Sequence, residues 1–414
     1  MCTSTTGSFS VEFCSTEVDL PKKRRKGPVD YVSDLGMHRS LIFCGLRKHP
    51  WALSIILCLV FGEFIEPRLT RFMWPKFDPL QTETETRLLL ASDPHLEGYH
   101  TDLFWLSYLL QWDSDRYLRY HFNQAKKWVN PSGFLILGDL FDLGSEIDAS
   151  EFSHTCVRFR SIYLNGASLP HLIFPGDNDV DLIEGSWTDP NLMKRMDGCL
   201  NPLQTSEQIQ FVRCQTVPRG TYRSARNKTN SLANTSSDQF LVFVTHEPVM
   251  KISQDQLNEV LAGEFPCLFV SSHYHRPYMY IVRSTDGYSF TEEWIHQPGE
   301  WHPRQLTLHF NMSRCVGADH MMEIRGSHEA LGFGLPSCTY RSGFPGDTAL
   351  AVLQIFRNGQ AIYHLLPLSS RLYVLYLYLV CISLCALYKI FAMFSSCYSF
   401  GIQNRFKRTC KIFK

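Results

Sequence analysis

Acidic residues and histidines gather at the ends of short apolar runs in the middle of this 414-residue chain. Five runs end in this way, and the polar residues that follow them are, in order, Asp93 and His95; Asp139 and Asp142; Asp177, Asn178 and Asp179; His246; His273 and His275. A single cluster of this kind is explained by a turn or a helix cap. Five in succession indicate shared chemistry, because mixed carboxylate and imidazole ligands suit two divalent transition ions such as Mn, Fe or Zn.

The apolar runs themselves predict the elements that position these side chains. Short continuous apolar runs are typical of strands buried on both faces, and helical stretches such as "HFNQAKKWV" before Pro131 alternate with them. The alternation predicts an α/β fold, in which ligands bind beyond the carboxyl ends of the strands. After His275 the sequence becomes β-rich, and Asn358-Gly359 between two apolar runs predicts a type I′ hairpin. Residues 227–239 are interpreted as an exposed insertion.

Two apolar segments flank this region. Leu372–Phe394 carries one charge, Lys389, and is long enough to cross a hydrocarbon core of about 30 Å, so it predicts a transmembrane helix over 371–394. Trp51–Ile65 is shorter and contains Glu63, so the apolar part of a signal peptide is the alternative. No small-x-small cleavage pattern follows it. The segment therefore predicts an uncleaved transmembrane signal anchor over 51–66.

The flanking charges predict the topology. Basic residues follow the second segment in 395–414, which places that tail in the cytosol. Two spans then place the polar and basic tail 1–50 in the cytosol and the domain 85–367 in a lumen. Sequons at Asn227, Asn234 and Asn311 and six cysteines suit that lumen, although the disulfide pairing cannot be read. The run "PKKRRKGP", which also fits a nuclear localisation signal, is interpreted as part of the cytosolic tail. Lys plus Arg equals Asp plus Glu, which does not favour a nucleic-acid partner.

The order of the polar clusters resembles that of a known superfamily. "DPH", "GDLFD", "GDND", "THEP" and "SHYH", within residues 87–280, are similar to the five motifs of the calcineurin-like metallophosphoesterases. The resemblance implies a four-layer α/β/β/α sandwich that holds two divalent metal ions, with Mn²⁺ as the expected metal. It implies that one ion is bound by Asp93, His95 and His275, the other by Asp177, His246 and His273, and that both are bridged by Asp139. Asp142 would orient a neighbouring ligand.

One block departs from the superfamily. The usual sequence is G-N-H-D/E, in which Asn binds a metal and His assists the phosphoryl group and the leaving oxygen. Aligned on Gly176, Asp177 takes the ligand position and Asn178 replaces the catalytic histidine. A register one residue later, with Asn178 as the ligand, stays open. Asn178 cannot supply a proton, so a histidine elsewhere is needed for that step, the candidates being His100, His154 and His296.

The flanking architecture resembles one branch of the superfamily. A span before the domain, the late segment "LPSCTYRSG" and a terminal span with a basic tail are similar to the membrane-anchored enzymes that trim ethanolamine phosphate from glycosylphosphatidylinositol (GPI) anchors. The resemblance implies a phosphodiesterase whose metals activate water and clamp the phosphoryl oxygens. It implies GPI-anchored proteins as substrates, support of their transport from endoplasmic reticulum to Golgi, residence along that route, and cargo receptors or coat components as partners of the cytosolic tail. Two alternatives remain: activity on another phosphoester, or a non-catalytic metal-binding cargo scaffold.

Overall fold

Two β-sheets lie at the centre of the computed structural model. The structure describes residues 50–99, 106–165, 169–180, 190–200, 208–209, 212–215, 239–252, 266–284, 290–298, 307–312, 328–341 and 347–412. The strands are β1 (Glu85–Ser92), β2 (Gly133–Leu137), β3 (His171–Phe174), β4 (Gln208–Ile209), β5 (Val212–Gln215), β6 (Phe240–Val244), β7 (Leu268–Ser271), β8 (Tyr278–Ser284), β9 (Phe290–His296), β10 (Thr307–Asn311), β11 (His328–Gly334), β12 (Ala349–Phe356) and β13 (Gln360–Pro367). One sheet has the order β10-β13-β12-β1-β2-β3 and the other β4-β5-β6-β7-β11-β8-β9.

Helices connect several of these strands. They are α1 (Pro50–Val60), which continues through a π-helical segment (Phe61–Ile65) into α2 (Glu66–Arg71), then α3 (Ser107–Val129), α4 (Ala149–Tyr163), α5 (Asp177–Val180), α6 (Pro190–Leu200) and α7 (Arg371–Ile412). Strands β1, β2 and β3 are parallel, as are β5, β6 and β7. Parallel neighbours need crossover connections, so their carboxyl ends meet at one edge of each sheet.

The two sheets pack face to face through their apolar side chains. Leu90 and Leu137 of the first sheet join Val244 and Val270 of the second in one buried cluster. The outer face of the first sheet packs on α3, α4 and α6, and a disulfide between Cys156 and Cys199 links α4 to α6. The alternating pattern predicts this α/β class, and the resemblance implies the two sheets. On the outer face of the second sheet, the described residues include a 3₁₀ turn, Val249–Lys251.

The hairpin between β12 and β13 forms where the sequence predicts it, but the predicted turn type is wrong. The strands pair antiparallel, and three residues, 357–359, connect them. Gly359 has a φ of 85°, and Asn358 is not among the described residues with positive φ. A type I′ turn requires positive φ at both central residues, whereas a three-residue loop needs it at the final glycine alone. The predicted insertion at 227–239 lies outside the described residues except for Gln239, and the predicted tail 1–50 lies outside them except for Pro50.

The apolar segments are both helical. Among the residues that the structure describes, one helix is long and apolar enough to cross a membrane: the first 25 residues of α7, Arg371–Ser395. The predicted signal anchor over 51–66 lies within the helix that starts at Pro50, and this helix extends to Arg71.

An ion network joins these helices to the domain. The Arg371 guanidinium, at the start of α7, donates hydrogen bonds of 3.0 and 2.5 Å to the two oxygens of Asp113 on α3 and one of 2.8 Å to Glu63. Glu63 also pairs with Arg116. The hydroxyl of Tyr340 donates to Asp113 at 2.9 Å. Each buried charge in this network therefore has an opposite charge beside it.

Candidate metal centre

The loops that follow β1, β2, β3, β6 and β7 converge and bring together seven of the predicted site residues. The first group contains one ligand atom from each of Asp93, His95, Asp139 and His275, and the second one from each of Asp177, His246 and His273; within each group these atoms lie within 4.8 Å of one another. Both groups draw residues from the two sheets, since β7 provides the His275 of the first group and the His273 of the second. The edge where the two sheets meet is therefore the site.

Backbone conformation at this edge is unusual. Among the described residues, the non-glycine residues with positive φ are Asp93, His95, Asn130, Asp139, His273 and His275, and all but Asn130 belong to the two groups. Such conformations cost energy and persist where the surrounding structure enforces them, typically at functional sites. The glycines of the "GD" sequences leave room for the site residues to approach closely. A Cβ on Gly138 would collide with the His246 ring, and one on Gly176 would collide with Asp139.

Asp139 lies between the two groups. Its Oδ2 is 3.5 Å from His95 Nε2 in the first group, and its Oδ1 is 3.3 Å from His246 Nε2 in the second. The backbone amide of Asn178 donates to Oδ1 at 3.1 Å, and the Asn178 side-chain amide donates to Oδ2 at 3.2 Å. A carboxylate that presents one oxygen to each group can contact two cations at once, as the resemblance implies.

Two features test whether this site fits metal ions. Asp93 is fully buried, and within the described part of the chain neither of its carboxylate oxygens accepts a hydrogen bond. A buried carboxylate without a donor is costly unless a cation neutralises it. His95 Nε2 and His275 Nε2 face each other at 3.1 Å, and nitrogen atoms so placed can share a metal ion. The residues present therefore fit two divalent ions, and their mixture of carboxylates and imidazoles suits Mn, Fe or Zn.

Neighbouring side chains orient the histidine rings. Asp142 Oδ1 lies 3.3 Å from His95 Nδ1, which directs Nε2 of that ring into the first group. Ser272 Oγ lies 2.9 Å from His246 Nδ1, which directs Nε2 of His246 into the second. Partners of this kind fix the ring and strengthen the ligand. Asp142 was predicted from the sequence, whereas Ser272 was not, although it precedes His273 in "SSHYH".

In the second group, His246 holds its proton tightly when no metal competes. Burial alone would lower the pKa of His246, but the carboxylates of Asp139 and Asp177 raise it to about 10. Burial alone would raise the pKa of Asp177, whereas hydrogen bonds with His246 and His273 hold it well below its usual range. A metal ion must displace the proton from His246, so metal affinity should fall as the pH decreases.

The "GDND" block is a short helix, α5, and its three polar residues have different surroundings. Asp177 Oδ1 lies 2.7 Å from His246 Nε2 and 3.3 Å from His273 Nδ1, so Asp177 lies in the second group. Asn178 faces Asp139 instead. Asp179 is buried, and its carboxylate accepts backbone hydrogen bonds from Gly176, Leu140 and Phe141, which ties the loops after β2 and β3 together.

Neither group of ligands includes His154 or His296, two of the three histidine candidates for proton donor. His154 contacts the hydroxyl of Tyr99 at 2.9 Å, His296 ends β9, and His100 lies outside the described residues. A residue that the sequence did not single out is Lys251, whose ammonium lies 2.7 Å from His273 Nε2 and 5.2 Å from the centre of the Tyr274 ring. It places a positive charge at the exposed rim of the second group. No local pattern marks it, because a single lysine in "VMK" is common on any surface.

Five strand-end loops, two groups of aspartates and histidines and a shared carboxylate make up the arrangement expected of a metallophosphoesterase, and sequence comparison agrees. No protein-family model matches the chain. The chain is 29% identical to the metallophosphoesterase 1 homolog of Drosophila melanogaster over 167 residues, which cover 38% of this chain and 43% of that protein. It is 28% identical to metallophosphoesterase 1 of Cricetulus griseus over 133 residues, 30% of this chain and 33% of that protein. The chain thus matches less than half the length of these curated relatives. Their names confirm the predicted resemblance to metallophosphoesterases.

The solved structures that align with this chain include two phosphoesterases. A metallophosphoesterase from Sphaerobacter thermophilus aligns with 68% of this chain and 88% of its own, at 12% identity and a TM-score of 0.29. A purple acid phosphatase from yellow lupin, Lupinus luteus, aligns with 67% of this chain and 50% of its own, at 10% identity and a TM-score of 0.34.

Proposed function

We propose that this protein is a metal-dependent phosphodiesterase that removes ethanolamine phosphate from the glycan of GPI anchors. The observation that carries the proposal of phosphoester hydrolysis is the position of Asp139, whose two oxygens face the two groups of ligands. The finer proposal, the GPI substrate, rests on the sequence resemblance, and the names of the two sequence relatives support the coarser proposal of a metallophosphoesterase.

The residues of the metal centre have different roles in the proposed reaction. Asp93, His95 and His275 would hold one ion, Asp177, His246 and His273 the other, and Asp139 both. Two such ions, when bound, supply a nucleophile from water at neutral pH and offset negative charge on the phosphoryl oxygens. Asn178 holds the Asp139 carboxylate through its side-chain amide and its backbone N–H. Lys251, on the rim, provides a cation that can contact an incoming phosphate.

We also propose that the domain faces the lumen of the early secretory pathway, anchored by α1 and α7. The apolar stretch Arg371–Ser395 supports a span in α7. The disulfide between Cys156 and Cys199 supports an oxidising compartment, since disulfides are rare in the cytosol. Asn311, the sequon residue that the structure describes, is exposed at the end of β10. In this topology GPI-anchored proteins meet the site as substrates on their way from endoplasmic reticulum to Golgi, and the cytosolic tail is free for cargo receptors or coat components.

The test uses cells that lack the protein. Mass analysis of their GPI glycans should show retained ethanolamine phosphate, and re-expression of the wild-type chain should remove it. His273→Ala should not rescue, because it removes a ligand of the second group, whereas His309→Ala, an exposed histidine on β10, should rescue fully. An unchanged glycan profile in the deficient cells would exclude this substrate.

A parallel assay separates the alternatives. Purified protein should hydrolyse an aryl phosphodiester in the presence of Mn²⁺ and lose that activity in chelator. Hydrolysis with an unchanged glycan profile would mean another phosphoester substrate. Metal binding without any hydrolysis would favour a non-catalytic cargo scaffold.

A further inference from the structure

The first turns of α3 expose a set of large apolar side chains. Tyr108, Leu109 and Trp112 are 69%, 57% and 59% exposed, and their spacing places them on one face of the helix. Gln111, between them in the chain, is buried on the opposite face. Contiguous exposed apolar side chains rimmed by polar residues mark protein or membrane interaction sites, whereas singly scattered ones need no explanation.

Helix α3 runs beside the helical segment 61–71, which contains Glu63. Arg116 of α3 pairs with Glu63, and Gln124 of α3 accepts a 2.7 Å hydrogen bond from Arg71 of α2. In both pairs the residues are 53 positions apart in the chain, so the two helices advance in the same direction at the same rate over these two turns. Trp112 precedes Arg116 by one turn of α3, and the end of α1 at Val60 likewise precedes Glu63. The exposed face of α3 thus extends toward the apolar helix α1.

Near the start of α7, Arg116, Glu63 and Tyr378 form contacts that are typical of residues at a membrane surface. Arg116 lies 5.1 Å from the centre of the Trp112 ring while its guanidinium pairs with Glu63. Tyr378 of α7 donates a 2.8 Å hydrogen bond to the same glutamate. Trp, Tyr and Arg are enriched where a protein crosses from lipid into water, and charges at that depth are found with partners.

We propose that the first turns of α3, at Tyr108, Leu109 and Trp112, lie in the lipid–water interface of the membrane that α7 enters. The occupant of this face is lipid, because the face continues from α1 and borders the Glu63 network at the start of α7. The domain then touches the bilayer through a surface of its own in addition to its helical anchors. This inference goes beyond the catalytic function and does not depend on it.

The experiment places a photoreactive benzoylphenylalanine at single positions in the full-length chain, reconstituted in phosphatidylcholine nanodiscs. The test positions are Tyr108, Leu109 and Trp112, all exposed, so the substitutions should not disturb the core. Tyr376, 67% exposed on α7, is the positive control. Ile295, on the edge strand β9 of the second sheet, is the matched control for an exposed apolar residue of the domain. Lipid adducts at the three test positions should exceed those at Ile295 by about tenfold, as expected for buried interfacial side chains.

Each other outcome overturns the inference. Lipid adducts at Tyr376 with only background yield at the test positions would leave α7 in the membrane and α3 outside it. Adducts between the test positions and a second protein chain would identify a protein-binding face instead. Background yield at Tyr376 as well would remove the membrane insertion of α7 on which the inference rests, while the glycan and hydrolysis assays of the proposed function would be unaffected.

Discussion

Two buried carboxylates in this protein have opposite surroundings. Asp93, in the metal centre, accepts no hydrogen bond from the residues that the structure describes, and burial raises its pKa. Asp113, in the ion network, is bonded by Arg371 and Tyr340. Burial alone would raise the pKa of Asp113 too, but the hydrogen bonds with Arg371 lower it. Among the described residues, Asp93 has histidines near it but no hydrogen-bond donor, whereas Asp113 is hydrogen-bonded by an arginine and a tyrosine.

The presence or absence of hydrogen-bond donors around a buried carboxylate distinguishes a structural contact from a ligand-binding site. A folded chain tolerates a buried carboxylate without a hydrogen-bond donor where function requires it, whereas structural charges are paired and hydrogen-bonded. The segment "LPSCTYRSG" touches both regions, since Ser337 donates a 2.8 Å hydrogen bond to the backbone oxygen of Asp93 and Tyr340 contacts Asp113. The same segment therefore supports both the metal centre and the ion network.

The largest effect should come from Asp93→Asn. Loss of this ligand should reduce metal-dependent hydrolysis by about a thousandfold or more, since the ions supply both nucleophile and charge stabilisation. The metal-free protein should melt at the same temperature as wild type or higher at pH 7.5, because an amide costs less to bury than a carboxylate that accepts no hydrogen bond. Activity and metal-free thermal melting are measured together. Asp197→Asn, an exposed carboxylate on α6, is the control, and a lower melting temperature for Asp93→Asn would contradict the comparison.

Asp113→Asn should have the reverse effect. Removing one partner of a buried ion pair should lower the free energy of unfolding by about 3–5 kcal/mol while metal stoichiometry stays unchanged. Because the folded pKa of Asp113 is lowered, its stabilisation is present above the unfolded pKa and lost as the pH falls through the folded value. The stability difference from wild type should therefore narrow in acid. Glu293→Gln, from an exposed pair with Arg283, is the control and should change nothing measurable.

A smaller effect is expected at Asn178, whose side chain contacts Asp139. Asn178→Ala should leave both ions bound and reduce the rate about ten- to a hundredfold, as for the loss of one positioning hydrogen bond near the phosphoryl group. Asp177→Ala should instead lower metal content and rate together, because Asp177 lies against His246 and His273. Metal loss in Asn178→Ala with metal retained in Asp177→Ala would show that the ligand register is shifted by one residue.

The smallest effect is expected at Lys251. Removing its ammonium from the rim should weaken inhibition by inorganic phosphate about three- to tenfold, the effect of one charged hydrogen bond, with metal content unchanged. Lys127→Ala, an exposed lysine on α3, is the control. Equal phosphate inhibition in Lys251→Ala and wild type would remove Lys251 from the phosphate-binding surface.

The sequence could predict which aspartates and histidines converge because each follows an apolar strand, and parallel strands bring their carboxyl ends to one edge. It could not predict contacts between distant residues without a local pattern. Arg371 and Asp113 are 258 positions apart, and Lys251 meets His273 only through the tertiary fold. The turn at Asn358-Gly359 was assigned the wrong type because a two-residue and a three-residue hairpin loop both favour glycine at the final position.

The most direct test of the account is the metal content of the purified full-length protein, measured by mass spectrometry after loading with Mn²⁺ and removal of excess metal. Wild type should hold two ions per chain. His275→Ala and His273→Ala, which remove one ligand from the first and the second group, should each hold fewer than two, and His309→Ala should hold two. A wild-type chain that holds one ion or none, or both ligand variants that keep two, would contradict the account of two metal ions bridged by Asp139.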